Sequence, residues 1–545
     1  METGPALSKK ILRIGIDVGG TNTDGVVIDP TRAWEPGKGI LAWHKTPTTV
    51  DPSDGIRQVM VAMMKSNGVM PSKIATVNIG TTHFVNAIIQ RDARRLSRVA
   101  VLRLGKPFTK HMPPCIEWPR DLKALVLGHH ALLRGGLEVH GGPIGDIDAD
   151  EIRAECAIIA DKGIRCVVIC GIFSPIDSVE NQERRTADIV LGQLPDCDVV
   201  LSSEVTNLGF LERENAAILN AAILRFGRET IRSFRQPLRQ LGLDCPIFIT
   251  QNDGTVLQAE LAAKLPTRTF SSGPTNSMLG AAFLVKTYKP KDGTEGAATI
   301  VIDIGGTTSD VGLLLPNGLP RQRAAFSELA GVRVNFSCPD VASIGLGGGS
   351  VVRADDGHME VGPESVGHRL TEDAIAFGGH VVTATDCAIL ADPKLEIGNR
   401  DWVQKHPALG SEDILRFQRV IREKLERVID ATKTSPGDLP VIIVGGGAVL
   451  APDQLKGASK VLRPRWAGVV NAIGAAVAQI SAVVDTIKPT ESKTTQEWLE
   501  ELSQEVIEKT VQAGASRSTV VIVEMVTLPI PVSSDSISFL DSKDG

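Results

Sequence analysis

Two stretches of this chain repeat one order of residue types. IGIDVGGTNTDGVVID (residues 14–29) and IVIDIGGTTSDVGLLL (300–315) each run apolar strand, Asp, one apolar residue, Gly-Gly-Thr, two further residues, Asp, apolar strand. β-branched residues resume directly after the glycines, so each copy reads as a strand, a turn and a second strand. Neither G-x-G-x-x-G nor G-x-x-x-x-G-K-[ST] is present, which removes the dinucleotide and P-loop readings. Gly19, Gly20, Gly305 and Gly306 allow a tight turn whose amides face phosphate oxygens. Thr21, Thr23, Thr307 and Thr308 add hydroxyl donors, and Asp17 and Asp303, at strand ends, suit Mg²⁺ held directly or through water. Asp24 and Asp310, just past each turn, either orient a nucleophile and accept its proton or cap their own turn. One copy alone is explained by a satisfied turn carboxylate; two copies with a third glycine cluster favour phosphate chemistry.

That third cluster is VIIVGGGAVLAP (441–452), a buried strand running into Gly445, Gly446 and Gly447, where bare backbone lets an adenine or ribose lie close. SIGLGGGSVVR (343–353) is a fourth glycine-rich element without an assigned role, a plain tight loop being the alternative. Elsewhere short β-branched runs alternate with helical periods such as SEDILRFQRVIREKLERVIDATK, an α/β pattern with mainly buried strands. Residues 286–297 read as a polar loop ahead of the second signature strand. The expected division is a first lobe over 1–200, a second over 201–485, a small helix-turn-strand appendage over 486–535 and a disordered tail over 536–545.

At 545 residues the chain is too long for one core. Net charge −6 argues against a nucleic-acid partner, and the eight scattered cysteines read as reduced, mostly buried thiols without zinc-ribbon spacing. The N-terminal residues lack an apolar segment followed by a cleavage site, and no run of eighteen uncharged apolar residues occurs, so a cytoplasmic protein without a membrane partner is the expectation.

With two phosphate hairpins followed by an adenosine-type glycine strand, the chain resembles the actin, heat-shock ATPase and sugar-kinase superfamily, in which two similar lobes clamp one nucleotide. RIGIDVGGTNTD, NIGTTHFVNAIIQR, SSEVTNLGFLERENAAILNAAI, QNDGT, SSGPTNSMLGAA, VIDIGGTTSDVG, SIGLGGGS, VGPESVG, TATD and VGGG, in this order, are similar to the hydantoinase/oxoprolinase family over residues 12–486. Asn22 stands where relatives commonly carry Phe, and HRLTEDAIAFGG after VGPESVG is typical of a short-chain branch.

The resemblance implies a two-lobed, actin-like ATPase fold built from duplicated ribonuclease H-like domains. It also implies ATP with Mg²⁺, and hydrolysis of a cyclic amide such as hydantoin or 5-oxoproline by phosphorylation of its carbonyl oxygen. A kinase, a carboxylase-type subunit and an ATPase acting on a partner protein remain alternatives, and a second subunit or domain is an expected partner. Thr81, Thr82, His83 and Asn86, after a strand, and Glu212 and Arg213, ahead of a helix, are the substrate candidates. For His83 the alternative is a structural hydrogen bond, and for Glu212 and Arg213 a solvated helix start.

Overall fold

The computed structural model describes residues 10–32, 39–49, 51–66, 69–206, 209–285, 298–323, 326–355, 358–406, 409–488 and 493–528. The expected loop at 286–297 and the tail at 536–545 lie outside them. The chain divides into a large unit reaching residue 487 and a small C-terminal unit.

Within the large unit the first signature stretch forms β1 (Leu12–Val18) and β2 (Asn22–Ile28), followed by β3 (Ile40–Pro47) and β4 (Ile74–Thr81). Four parallel strands, β5 (Val99–Lys106), β6 (Leu127–Arg134), β7 (Cys166–Gly171) and β8 (Asp198–Leu201), make a separate inserted sheet over its own apolar core. β9 (Ile247–Thr250) and β10 (Val256–Gln258) then return to the first sheet, whose order is β10-β9-β4-β1-β2-β3.

The second signature stretch forms β11 (Thr299–Ile304) and β12 (Ser309–Leu314). After the small pair β13 (Ser327–Leu329) and β14 (Val332–Val334) come β15 (Val341–Ile344) and the ribbon β16 (Ser350–Asp355) with β17 (His358–Ser365). β18 (Leu439–Val444) and β19 (Ala458–Leu462) complete a sheet of order β15-β12-β11-β18-β19. In both sheets the first three strands are antiparallel and the next two join in parallel. This is the expected duplicated ribonuclease H-like, actin-like arrangement.

Central strands are buried on both faces because helices cover each side. Ile14, Ile16, Val18 and Val27 face the core shared with the helix Pro52–Met64, while Val26 and Ile28 face the helix Val470–Val477. In the second lobe Ile300, Ile302 and Ile304 meet Phe417, Ile421, Leu425, Val428 and Ile429, the apolar stripe of the helix Ser411–Thr432.

The lobes exchange one helix each. Ser272–Val285, from the end of the first half, packs beneath the second sheet, and Val470–Val477, from the end of the second half, beneath the first. They cross through glycines: a Cβ on Gly474 would lie 1.9 Å from the Asn276 carbonyl oxygen, one on Gly280 2.1 Å from that of Val470, and one on Gly15 2.0 Å from that of Ala472.

Two expectations are corrected. The first lobe does not stop at residue 200, since β9, β10 and the helix Leu211–Ser233 belong to its sheet and core. The appendage carries the helix Thr495–Gln512, but residues 520–528 form no strand, having no partner strand among the described residues. No helix among the described residues is long and apolar enough to cross a membrane.

Candidate functional site

Register places the signature aspartates. In the first lobe Asp17 stands opposite Asp24 and Asp24 opposite Lys45, so the three share one face of β1, β2 and β3. In the second lobe Asp303 stands opposite Asp310 and Asp310 opposite Ser343, the same row on β11, β12 and β15. Each row faces the exchanged helix: the Asn471 amide approaches Asp17 Oδ2 at 3.5 Å, and the Ser277 hydroxyl favours the ionised form of Asp303. Lys45 Nζ lies 3.2 Å from Asp24 Oδ1, and Ser343 Oγ donates to Asp310.

The two hairpin turns are built alike. The Gly19 amide donates to the Asn22 carbonyl at 3.0 Å and the Gly305 amide to that of Thr308 at 2.9 Å, leaving Gly20 and Gly306 at the tips, where a Cβ would meet nothing within 4 Å. Thr48 braces the first turn, donating its amide to Thr21 O (2.9 Å) and its hydroxyl to Gly19 O (2.8 Å). The second turn is braced by the fourth glycine cluster, whose Gly348 and Gly349 amides donate to Gly305 O and Gly306 O at 2.9 and 2.7 Å. A Cβ on Gly347 would lie 2.6 Å from the Thr307 nitrogen, so this loop is the backing of the second hairpin.

Thr21 is half-buried, and Thr307 and Thr308 are exposed at the turn. Thr23 is a correction: strand alternation turns it away from the aspartate row, fully buried with its hydroxyl 3.4 Å from that of Thr48, as Ser309 is buried against Leu346 O. The triglycine ends β18 beside β11. Gly445, at φ 89°, has its Cβ direction 2.2 Å from Asp303 Oδ1, the Gly447 amide donates to Ile304 O at 2.7 Å, and Gly446 is open and exposed.

Burial raises all four carboxyls. Asp17 is pushed up to about 7 by burial first and then by Asp24, with Asn471 opposing and Asp303 adding; Asp24 rises to about 6 by burial against the pull of Lys45. Asp303 rises to about 6 by burial, against Ser277 and with Asp310, and Asp310 also rises by burial against Ser343. Buried carboxyls that raise one another are what a divalent cation relieves, so Asp17 and Asp303 fit that use. Gly80 and Gly445 keep the space beside them clear: a Cβ would come 2.8 Å from Asp17 Oδ1 and 2.2 Å from Asp303 Oδ1. No group of three His, Cys, Asp or Glu among the described residues forms a closed metal cage, and all eight cysteines are free, six of them buried.

The substrate candidates divide. Thr81 ends β4 beside Val18 but its hydroxyl accepts the His83 amide at 3.2 Å and its carbonyl the Ser272 hydroxyl at 3.1 Å. Thr82, His83 and Asn86 are half-buried, and burial, then Arg95, lowers the His83 pKa and favours neutral imidazole. Glu212 lies 3.8 Å from Arg333.

Arg213 is corrected outright. It is 1% exposed, and its guanidinium donates to Ser174 Oγ and Ser202 Oγ at 2.7 Å, Gly171 O at 2.8 Å and Gly209 O at 3.0 Å, with Glu183 at 3.9 Å. Arg213→Met is therefore expected to cost about 3–5 kcal/mol in denaturant unfolding, as for a broken buried pair, while leaving the KM of whatever folded enzyme remains unchanged. Sequence reasoning missed Lys45, Thr48, Ser277, Ser343 and Asn471. Of these only Lys45 carried a signal, the one lysine or arginine in the short strand ILAWHKTP.

Two family models match, hydantoinase/oxoprolinase N-terminal region over residues 13–193 and hydantoinase/oxoprolinase over 213–394. The chain is similar to the acetophenone carboxylase gamma subunit of Aromatoleum aromaticum, 26% identical over 76% of this chain and 56% of that one. It is also similar to the caprolactamase alpha subunit of Pseudomonas jessenii, 25% identical over 70% and 54%. The chain thus spans about half the length of these curated relatives. Among solved structures, nucleotide-free acetone carboxylase superposes at TM-score 0.67 and 22% identity over 93% of this chain and 78% of that one. ATP-dependent caprolactamase of P. jessenii does so at 0.65 and 20% over 92% and 76%. Signature hairpins, duplicated sheets and matched models agree: the chain belongs to the hydantoinase/oxoprolinase family.

Proposed function

We propose that this chain is the nucleotide-binding part of an ATP-dependent hydrolase that opens a cyclic amide. The observation that carries the reading is the pair of equivalent aspartate rows beneath two phosphate-type turns, one per lobe. The similarity to a caprolactamase subunit supports the cyclic-amide substrate class.

The amides of Gly20, Thr21, Gly306 and Thr307 and the hydroxyls of Thr21, Thr307 and Thr308 orient the phosphate chain, and Gly446 leaves room for the adenosine. Mg²⁺, held by Asp17 and Asp303, would neutralise phosphate charge. The amide oxygen attacks the terminal phosphorus, the bond to the bridging oxygen breaks and ADP leaves. Water then adds to the activated carbon, and the ring C–N bond breaks with the nitrogen taking up a proton, leaving an open-chain acyl phosphate; a second water hydrolyses that acyl phosphate, releasing phosphate and the open-chain amino acid. Asp310, whose pKa is raised by burial, accepts the water proton, with Asp24 as the equivalent group on the other lobe. A cavity of about 150 Å³ lined by Ser271, Arg323, Phe336, Cys338 and Ser343 adjoins Asp310 through Ser343 and suits a small ring.

Protein with Mg-ATP and a panel of lactams is expected to release ADP only when an amide is present. The carboxylase matches favour a second reading, in which ADP release requires a ketone, bicarbonate and an added subunit. ADP release that responds to an added protein without any small molecule would defeat both.

A further inference from the structure

The two aspartate rows are equivalent by register but differ in their third member. On β3 that position is Lys45, and on β15 it is the neutral Ser343. Lys45 bears on more than its own strand pair: besides its ion pair with Asp24, it acts electrostatically on Asp17 of the first lobe and on Asp303 of the second. Its side chain is 34% exposed, against 11% for Asp24, which leaves the ammonium within reach of a ligand.

Charge balance gives this asymmetry a use. A nucleoside triphosphate brings close to four negative charges to a site already holding four carboxyls, and one divalent cation neutralises only part of that. The triglycine that leaves room for an adenosine lies on the second lobe beside Asp303, so the phosphate chain runs toward the first lobe, where the row ends in a cation. We propose that Lys45 binds the terminal phosphate of the nucleotide, exchanging its ion pair with Asp24 for that phosphate. This rests on the ATP reading above but not on the cyclic-amide substrate. A compact ammonium on a flexible stem makes such an exchange without rebuilding the sheet. The alternative is an ordinary cross-strand ion pair, which contributes little beyond strand pairing.

The two roles separate by nucleotide. If Lys45 meets the terminal phosphate, Lys45→Met weakens ATP binding about 30-fold, the loss of one charge-assisted contact, while ADP binding changes less than about 2-fold. Lys45→Arg keeps most of the ATP affinity. Asp24→Asn, which breaks the same ion pair from the other side and frees the ammonium, tightens ATP binding. Titration calorimetry with Mg-ADP and a non-hydrolysable ATP analogue reads all three variants, with thermal unfolding confirming that each is folded. Equal losses for both nucleotides, or the same loss in Lys45→Met and Asp24→Asn, overturn the proposal while leaving the nucleotide site in place. Absence of any adenine-nucleotide binding by the unaltered protein overturns the ATP reading and the proposal together, and an inert lactam panel bears on neither.

Discussion

Asp17→Asn and Asp303→Asn are each expected to lower ATP turnover by about a thousandfold or more and, in the same protein without nucleotide, to raise the unfolding temperature at pH 8. The turnover loss follows from removing a buried charge that stands where phosphate and cation charge must be balanced. The stability gain follows from the sign of the pKa shifts. A carboxyl whose folded value is raised holds its proton more tightly when folded, so its stabilising contribution is complete below the unfolded value of 3.8. It is lost as pH rises through the folded value, about 7 for Asp17 and about 6 for Asp303. At roughly 1.4 kcal/mol per pKa unit, the loss for Asp17 at the alkaline plateau is of order 4 kcal/mol. The unaltered protein should therefore lose stability between pH 4 and 8, and Asp17→Asn should flatten that slope. Differential scanning calorimetry across this range checks it; an identical slope in the variant refutes the burial argument.

Gly474→Ala is expected to lower the proposed ATP turnover from a position outside the proposed nucleotide site. The added methyl would lie 1.9 Å from the Asn276 carbonyl oxygen, and a helix backbone cannot step aside as a side-chain tip would. Separating the helices should cost about 3 kcal/mol, read as a lower unfolding temperature. Because Asn471, which approaches Asp17, and Ser277, which favours the ionised form of Asp303, ride on those two helices, turnover should fall with it. Gly446→Ala is the contrast: its methyl meets nothing within 4 Å, so stability without nucleotide should stay within about 0.5 kcal/mol, while adenosine binding weakens if the base lies there. A Gly474→Ala protein with full stability and turnover would remove the crossing from the account.

The hairpins were legible in the chain because everything they need is local. Strand alternation, two glycines and an aspartate at each end lie within eight residues, and the register from Asp17 to Asp24 follows from the turn between them. Arg213 was misread for the opposite reason. Next to Glu212 in an apparently solvated helix start it looks available, yet its partners Gly171, Ser174 and Ser202 come from the inserted sheet and the segments after it. Lys45 belongs beside Asp24 only because β3 pairs with β2 across a connection whose length says nothing about register.

By itself the sequence determined the duplication, the two Gly-Gly-Thr turns with their aspartates, the α/β class and the family, since each is written in short-range patterns of residue type. Tertiary structure alone decided that β9 and β10 close the first sheet and that each lobe's aspartate row is covered by a helix from the other half of the chain. It also decided that the second turn is braced by Gly348 and Gly349 and that a cation stands in one row and a serine in the other. These depend on pairings between residues tens to hundreds of positions apart, which packing and hydrogen bonding select and no local pattern records.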